Sequence, residues 1–222
     1  MSETRRAVVE RQTAETKIRI EVNLDGRGQA RVRSGIGFLD HMLATLARHA
    51  FFDLDVEAQG DLQVDPHHTV EDVAICLGQA IAKALGRREG IARFGWAVIP
   101  MDDALVMAAV DLSGRPYSDV DLPLLSPQVG ALDTQLVAEF FRSLSWAGAL
   151  NLHVRRLAGQ NDHHLVEAAF KAVARALAAA VAGDPRTAGK PPSTKGVLGE
   201  EDHGADGQSQ RRAAGGGSTG GG

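Results

Sequence analysis

Cysteine is almost missing from this chain: Cys76 stands alone among 222 residues. A single thiol cannot close an internal disulfide, which points to a reducing compartment, and the absence of a thiolate cluster argues against a structural zinc site. No apolar run approaches the ~20 residues needed to span a bilayer. The first fifteen residues are polar and charged and lack the apolar core of a signal peptide. Neither sign of charge dominates, with a formal net charge of -4 and a pI near 6.1. Such a balance gives no reason to expect a nucleic-acid or membrane partner. The expected setting is the cytoplasm.

What is present is a chain 44% hydrophobic and 23% charged, suited to a sizeable core. Its most informative feature is a repeated motif. His67-His68-Thr69-Val70-Glu71 recurs 96 residues later as His163-His164-Leu165-Val166-Glu167. A short alternating segment precedes each copy, Asp53 to Val56 and Asn151 to Val154, and reads as a strand. Ala-rich helical stretches follow the motifs, over Val70 to Leu85 and Val166 to Val181, and further helices precede the strands, over Gly37 to His49 and Thr134 to Gly148. A period this long suggests an internally duplicated domain rather than a solenoid.

Thr16 to Leu24 places Ile18, Ile20, Val22 and Leu24 on one face, then turns at Asp25-Gly26 into an expected partner strand near Ala30 to Ser34. In the second half Trp96 to Ile99, Ala104 to Leu112 and Pro116 to Val120 read as strands. The expected fold is α+β, in two similar halves, 1–92 and 93–199, each with a mostly antiparallel sheet and two helices on one face. The other half is the simplest cover for the helices' second face. From about Glu200 the composition turns charged and then Gly/Ser-rich, which reads as a disordered tail over 200–222.

Within each HHxxE, a histidine and the glutamate three or four residues on share one helix face. Imidazole with carboxylate suits a borderline divalent ion such as manganese, iron or zinc, and two copies suggest two metals. The repeat draws in two more positions. His41 stands 13 residues before Leu54, and the same step back from Leu152 reaches Glu139. His49 reads as a helix-end residue at the dipole's negative end, and His153 as a strand residue. A cationic set completes the picture. Lys171 continues the face of His163 and Glu167 where its repeat equivalent is Ile75, and Arg93, Arg115, Ser193 and Lys195 are natural anion ligands. These residues would serve a metal-dependent hydrolase or a metal-storage protein.

Seven strings narrow the choice: Arg11-x-Thr-x-Glu-Thr16, Gly35-Ile-Gly-Phe-Leu-Asp-His-Met-Leu43, His67-His-Thr-Val-Glu-Asp72, Arg93-Phe-Gly95, Asp111-Leu-Ser-Gly-Arg-Pro-Tyr117, Asn161-x-His-His-x-x-Glu167 and Pro192-Ser-Thr-Lys-Gly196. In this order and spacing the chain resembles the imidazoleglycerol-phosphate dehydratase family over roughly residues 5 to 199. The resemblance implies four helices between two sheets and a homo-oligomer of 24 subunits with sites completed between neighbours. It implies dehydration of D-erythro-imidazoleglycerol phosphate to imidazole-acetol phosphate in L-histidine biosynthesis, with two manganese ions per active site. As metal ligands it implies His41, His67, His68, Glu71, Glu139, His163, His164 and Glu167. Arg93, Arg115, Lys171, Ser193 and Lys195 correspond to phosphate-binding residues. Glu15 corresponds to a substrate contact that moves a proton, and Glu71 and Glu167 complete the catalytic carboxylates. Pro66 and Thr45 depart from residues common at those positions.

Overall fold

Alternation of buried and exposed side chains explains the first sheet. In β2 (Thr16–Asn23) Ile18, Ile20 and Val22 are at most 1% exposed, and in β4 (Asp53–Gly60) Leu54 and Val56 point the same way. The two strands pair antiparallel with Val22 opposite Leu54 and Ile20 opposite Val56, so one face of the pair is apolar. β1 (Arg6–Gln12) and β3 (Ala30–Arg33) flank them to give the order β1-β2-β4-β3. The computed structural model describes residues 5–187, 189–194 and 198. Lys195 and the tail expected over 200–222 lie outside the described residues.

The second sheet repeats the first: β5 (Phe94–Met101), β6 (Ala104–Asp111), β7 (Tyr117–Asp121) and β10 (Asn151–Ala158) lie in the order β5-β6-β10-β7. A small hairpin, β8 (Gln128–Val129) with β9 (Leu132–Asp133), is inserted before the third helix. Four helices complete the fold: α1 (Gly37–Ala50), α2 (His67–Leu85), α3 (Gln135–Gly148) and α4 (Asp162–Val181). Helices α1 and α2 lie on the first sheet, α3 and α4 on the second. They then pack across the halves, α1 on α4 and α2 on α3, so the helices are sandwiched between the sheets over one continuous core.

Duplication extends to backbone detail. α1 ends at Phe51 and α3 at Ala149, both left-handed despite carrying a Cβ, with φ of 61° and 47°. The next residues also match: Phe52 N–H donates to Ala47 O and Leu150 N–H to Ser145 O. At the motif helices, Asp65 accepts from His67 N–H at 2.7 Å and Asn161 from His164 N–H at 3.2 Å, each satisfying a first-turn donor.

One expectation about the first half needs correction. The strand at Ala30 is not the hairpin partner of β2; β3 pairs parallel to β4, through the crossover β3-α1-β4. Asp25-Gly26 does turn the chain, but Asp53 Oδ1 accepts from the N–H groups of Arg27 and Gln29 and leads it past β4 to the sheet edge. The polar N-terminal stretch also contains a strand that the charges conceal. β1 buries Ala7 and half-buries Val9 while exposing its polar residues.

The α2–α3 crossing is unusually close because it is made by glycine. A Cβ on Gly78 would stand 2.5 Å from Leu144 O and 2.7 Å from Gly148 N, both backbone atoms. Gly78→Ala is therefore expected to destabilise the protein by about 1–3 kcal/mol through overpacking. Gly37→Ala, with nothing within 4 Å of the added carbon, serves as the control. Thermal unfolding of both variants decides it; equal midpoints would mean that the crossing relaxes freely.

A histidine–carboxylate site built across the two halves

One turn of α4 and one of α1 make the tightest cluster. His163 and Glu167, four residues apart, share a face of α4, with Nε2 and Oε2 3.3 Å apart. His41 of α1 reaches the same oxygen at 3.4 Å. The three ligand atoms lie within 4.8 Å of one another, the only such group of three or more among the described residues. Lys171, one turn further along α4, donates to the other carboxylate oxygen at 2.8 Å. Glu167 is 9% exposed, while the two rings face outward. Burial pushes the Glu167 carboxyl up, but Lys171 and His41 outweigh it and hold it below its ordinary value. Phe38 packs its ring 5.2 Å from that of His163.

The equivalent cluster, α2 against α3, is looser. His67 Nε2 lies 3.9 Å from Glu71 Oε2. Glu139 shares a cavity with His67, Asp65 and Gln135, but its carboxylate bonds to Arg142 and to Ser143 Oγ at 3.1 Å. Burial raises that carboxyl and these bonds more than offset it, so it too sits below its ordinary value. Each cluster thus joins the motif of one half to a helix of the other. His41 serves the second motif and Glu139 faces the first.

The second histidine of each motif turns away. The neighbouring rings are nearly perpendicular, at 81° for His67–His68 and 87° for His163–His164. His68 Nδ1 is held by Asp61 at 3.1 Å, with Glu15 3.7 Å away. His164 Nδ1 is held by Asp103 at 2.7 Å, with Asp102 3.4 Å from its Nε2. A carboxylate on one imidazole nitrogen fixes the tautomer and aims the other nitrogen. Asp103 is well below the ordinary carboxylate range because the N–H of Gln160, the His164 ring and the N–H of Asn161 all bond to it.

The cationic residues divide into two places. Lys171 belongs to the His41 cluster and touches Met101 Sδ at 3.6 Å, at the end of β5. Arg93 stands before the start of β5, roughly 25 Å of strand away. Its guanidinium grips Asp111 at 2.7 and 3.1 Å, donates to Pro192 O at 2.9 Å and lies over the Phe94 ring. This brings Ser193 to the Arg93 corner, where Arg115 also sits in the β6–β7 turn braced by Ser113 Oγ. His153, beside Asp119 and Tyr117, joins no cluster. His49 is not drawn toward its charged form by the helix end. Burial and then the Lys171 and Arg175 charges lower its pKa.

Sequence reasoning missed Asp61, Asp103, Arg142 and Ser143. Asp103 carried a signal: Asn23 opposite Asp53 and Asp111 opposite Asn151 are equivalent pairs, which puts Asp103 where the first half has Glu15.

Two sheets enclosing four helices, with imidazole–carboxylate clusters built across the halves, define an internally duplicated α+β protein whose donors suit divalent-metal chemistry. The imidazoleglycerol-phosphate dehydratase family model matches residues 34–177. A relative of that name from Dinoroseobacter shibae is 57% identical over 194 residues, covering 87% of this chain and all of the relative. The crystal structure of imidazoleglycerol-phosphate dehydratase from Staphylococcus aureus superposes with a TM-score of 0.74 at 36% identity, over 81% of this chain and 99% of that one. One from Pyrococcus furiosus, in complex with (S)-C348, gives 0.74 at 37%, over 86% and 100%. The chain belongs to the imidazoleglycerol-phosphate dehydratase family, lyases of histidine biosynthesis.

The Asp61 contact raises the pKa of His68, chiefly through its hydrogen bond. In metal-free protein, NMR titration should find His68 above the ordinary histidine value, and Asp61→Asn should bring it down. Because the folded value is raised, the contact stabilises fully below about pH 6.5 and its contribution fades as pH rises through the folded value. Identical titrations in both proteins would show that Asp61 does not hold the ring.

Proposed function

We propose that this chain converts D-erythro-imidazoleglycerol phosphate to imidazole-acetol phosphate, using two manganese ions per active site. The observation that carries this reading is the His41–His163–Glu167 group, two imidazoles and a carboxylate within 4.8 Å, with Lys171 bonded to the same carboxylate. Nitrogen and carboxylate donors together suit a borderline ion such as manganese. The ligands would be His41, His67, His68, Glu71, Glu139, His163, His164 and Glu167. Glu139, bonded to Arg142 and Ser143, must release those partners to take its place. Manganese bound by these residues supplies Lewis acidity toward the substrate imidazole and a fixed template for it.

The chain's own groups do the rest. The reaction takes a hydroxyl from the carbon beside the imidazole ring and a proton from the neighbouring carbinol carbon. The carbon–carbon double bond so formed is an enol, which becomes the ketone by moving a proton. Glu15 is the group that carries a proton, and its place beside His68 puts it next to a ligand of the ring site. Arg93, Arg115, Lys171 and Lys195 neutralise the phosphate and Ser193 donates a hydrogen bond to it, which fixes the ring's distance from the acid–base group and removes entropy from the barrier.

Lys171 and the Arg93 corner stand too far apart in one chain to hold one phosphate. That supports active sites completed between neighbouring copies, in a homo-oligomer of 24 subunits. The enzyme works in the cytoplasm on a small phosphorylated substrate, with no nucleic-acid or membrane partner; among the described residues no helix is long and apolar enough to cross a membrane.

Purified protein should lose turnover of imidazoleglycerol phosphate on chelation and regain it with manganese. A chelated protein with undiminished turnover would sink the metal reading, and release of inorganic phosphate would favour a hydrolase. Glu15→Ala should lower kcat about 10²–10⁴-fold while manganese content stays at the wild-type level. Loss of manganese together with activity would make Glu15 a ligand or structural residue instead.

A further inference from the structure

The turn that carries Glu15 is tied to helix α2 at both of its ends. Arg11, near the end of β1, donates from Nε to Asp72 Oδ1 at 2.7 Å, and Thr16, the first residue of β2, donates its hydroxyl to Asp72 Oδ2. Asp72 is 7% exposed and Thr16 4%. Within the turn, Thr13 Oγ1 accepts from the N–H groups of Glu15 and Thr16 at 3.1 and 3.0 Å, and Thr13 N–H donates to Thr16 O at 2.9 Å. Asp72 lies four residues after His68, so both project from one face of α2. The helix turn that presents His68 therefore also grips the segment bearing the Glu15 carboxylate, 3.7 Å from His68 Nδ1.

The second half shows what this arrangement looks like without the grip. There Ala168 and Ala104 stand in place of Asp72 and Thr16. The hairpin has the same length in both halves, with Met101 closing onto Ala104 as Thr13 closes onto Thr16. Its tip acid, Asp103, is bonded directly to the His164 ring and to the N–H groups of Gln160 and Asn161. A tip whose acid serves as an acceptor is held by its own bonds. A tip whose acid approaches its histidine only at 3.7 Å is held from behind.

We propose that Asp72 is a positioning residue for the dehydration: its clasp on Arg11 and Thr16 holds Glu15 at the reacting carbon. This rests on the reading of Glu15 as the proton-carrying group. A buried carboxylate with two donors is also a structural tie, and the two roles differ in what they change. A structural tie alters stability and leaves kcat of the folded enzyme alone. A positioning residue alters kcat only while the group that it positions is present.

The test is a double-mutant cycle on the manganese-loaded enzyme with wild type, Glu15→Gln, Asp72→Asn and the double variant, recording kcat, KM, manganese content and thermal midpoint. Asp72→Asn is expected to lower kcat roughly tenfold to a hundredfold with KM and manganese content unchanged. In the Glu15→Gln background the same substitution is expected to cost less than about twofold. An equal cost in both backgrounds, or wild-type kcat in Asp72→Asn, overturns the proposal. If Glu15→Gln alone keeps wild-type kcat, the reading of Glu15 itself falls, and that failure is separate. Should Asp72→Asn not fold, Thr16→Val takes its place in the cycle. Thr16→Ser, which keeps the hydroxyl, is then expected to restore kcat; a Thr16→Ser enzyme as slow as Thr16→Val overturns the clasp.

Discussion

A two-helix layer on a single sheet has apolar surface on both sides, and the sheet can cover only one of them. In this chain the other half covers the second. α4 shows the consequence most plainly: Leu165, Val166, Ala168, Ala169, Phe170, Ala172 and Val173 follow one another with no more than 1% exposure. A helix buried over most of its surface cannot keep a charged residue on a covered face unless a partner meets it. Glu167 is met by Lys171 on its own helix and by His41 from the other half. The packing that closes the core thus decides that the clusters are shared between halves.

Duplication followed by divergence then separates the two clusters chemically. Lys171 against Ile75 leaves one motif helix with its own cation, whereas the other cluster draws Arg142 from the facing helix. The hairpin acids have parted in the same way. Asp103 is an acceptor fixed in a net of donors, while Asp61 does that work for His68 and leaves Glu15 free of it. A carboxylate surrounded by donors strongly favours its charged form and is a poor carrier of protons.

Much of this was legible from residue pattern. The repeat, the four helices and both inner strands follow from apolar spacing, because each has one face that must be buried. The edges were less legible. β1 has only Ala7 and Val9 to mark its inner face among charged neighbours, and β3 is four residues long, so its parallel partner could not be told from a hairpin partner. In the site, HHxxE identifies its own helix face, but no spacing rule says that Glu139 will meet the first motif rather than the second. That follows only from helices α2 and α3 crossing at Gly78 and Gly148, a contact between residues 70 apart in sequence. Asp61 was hidden for another reason: a loop aspartate is common, and only the ring that it faces gives it a role.

The two cationic places make the last constraint. Arg93 is already bidentate to Asp111 and tied to Pro192, so its side chain is pre-organised and only part of its charge is left for a phosphate. Lys171 is likewise committed to Glu167. Neither alone offers a doubly negative group full compensation, and β5 keeps them at opposite ends of one rigid strand. No rotation of side chains within the chain can close that gap. On the proposed reading, a phosphate that needs both cationic places would have to be met by two copies of the chain, which would couple substrate binding to association.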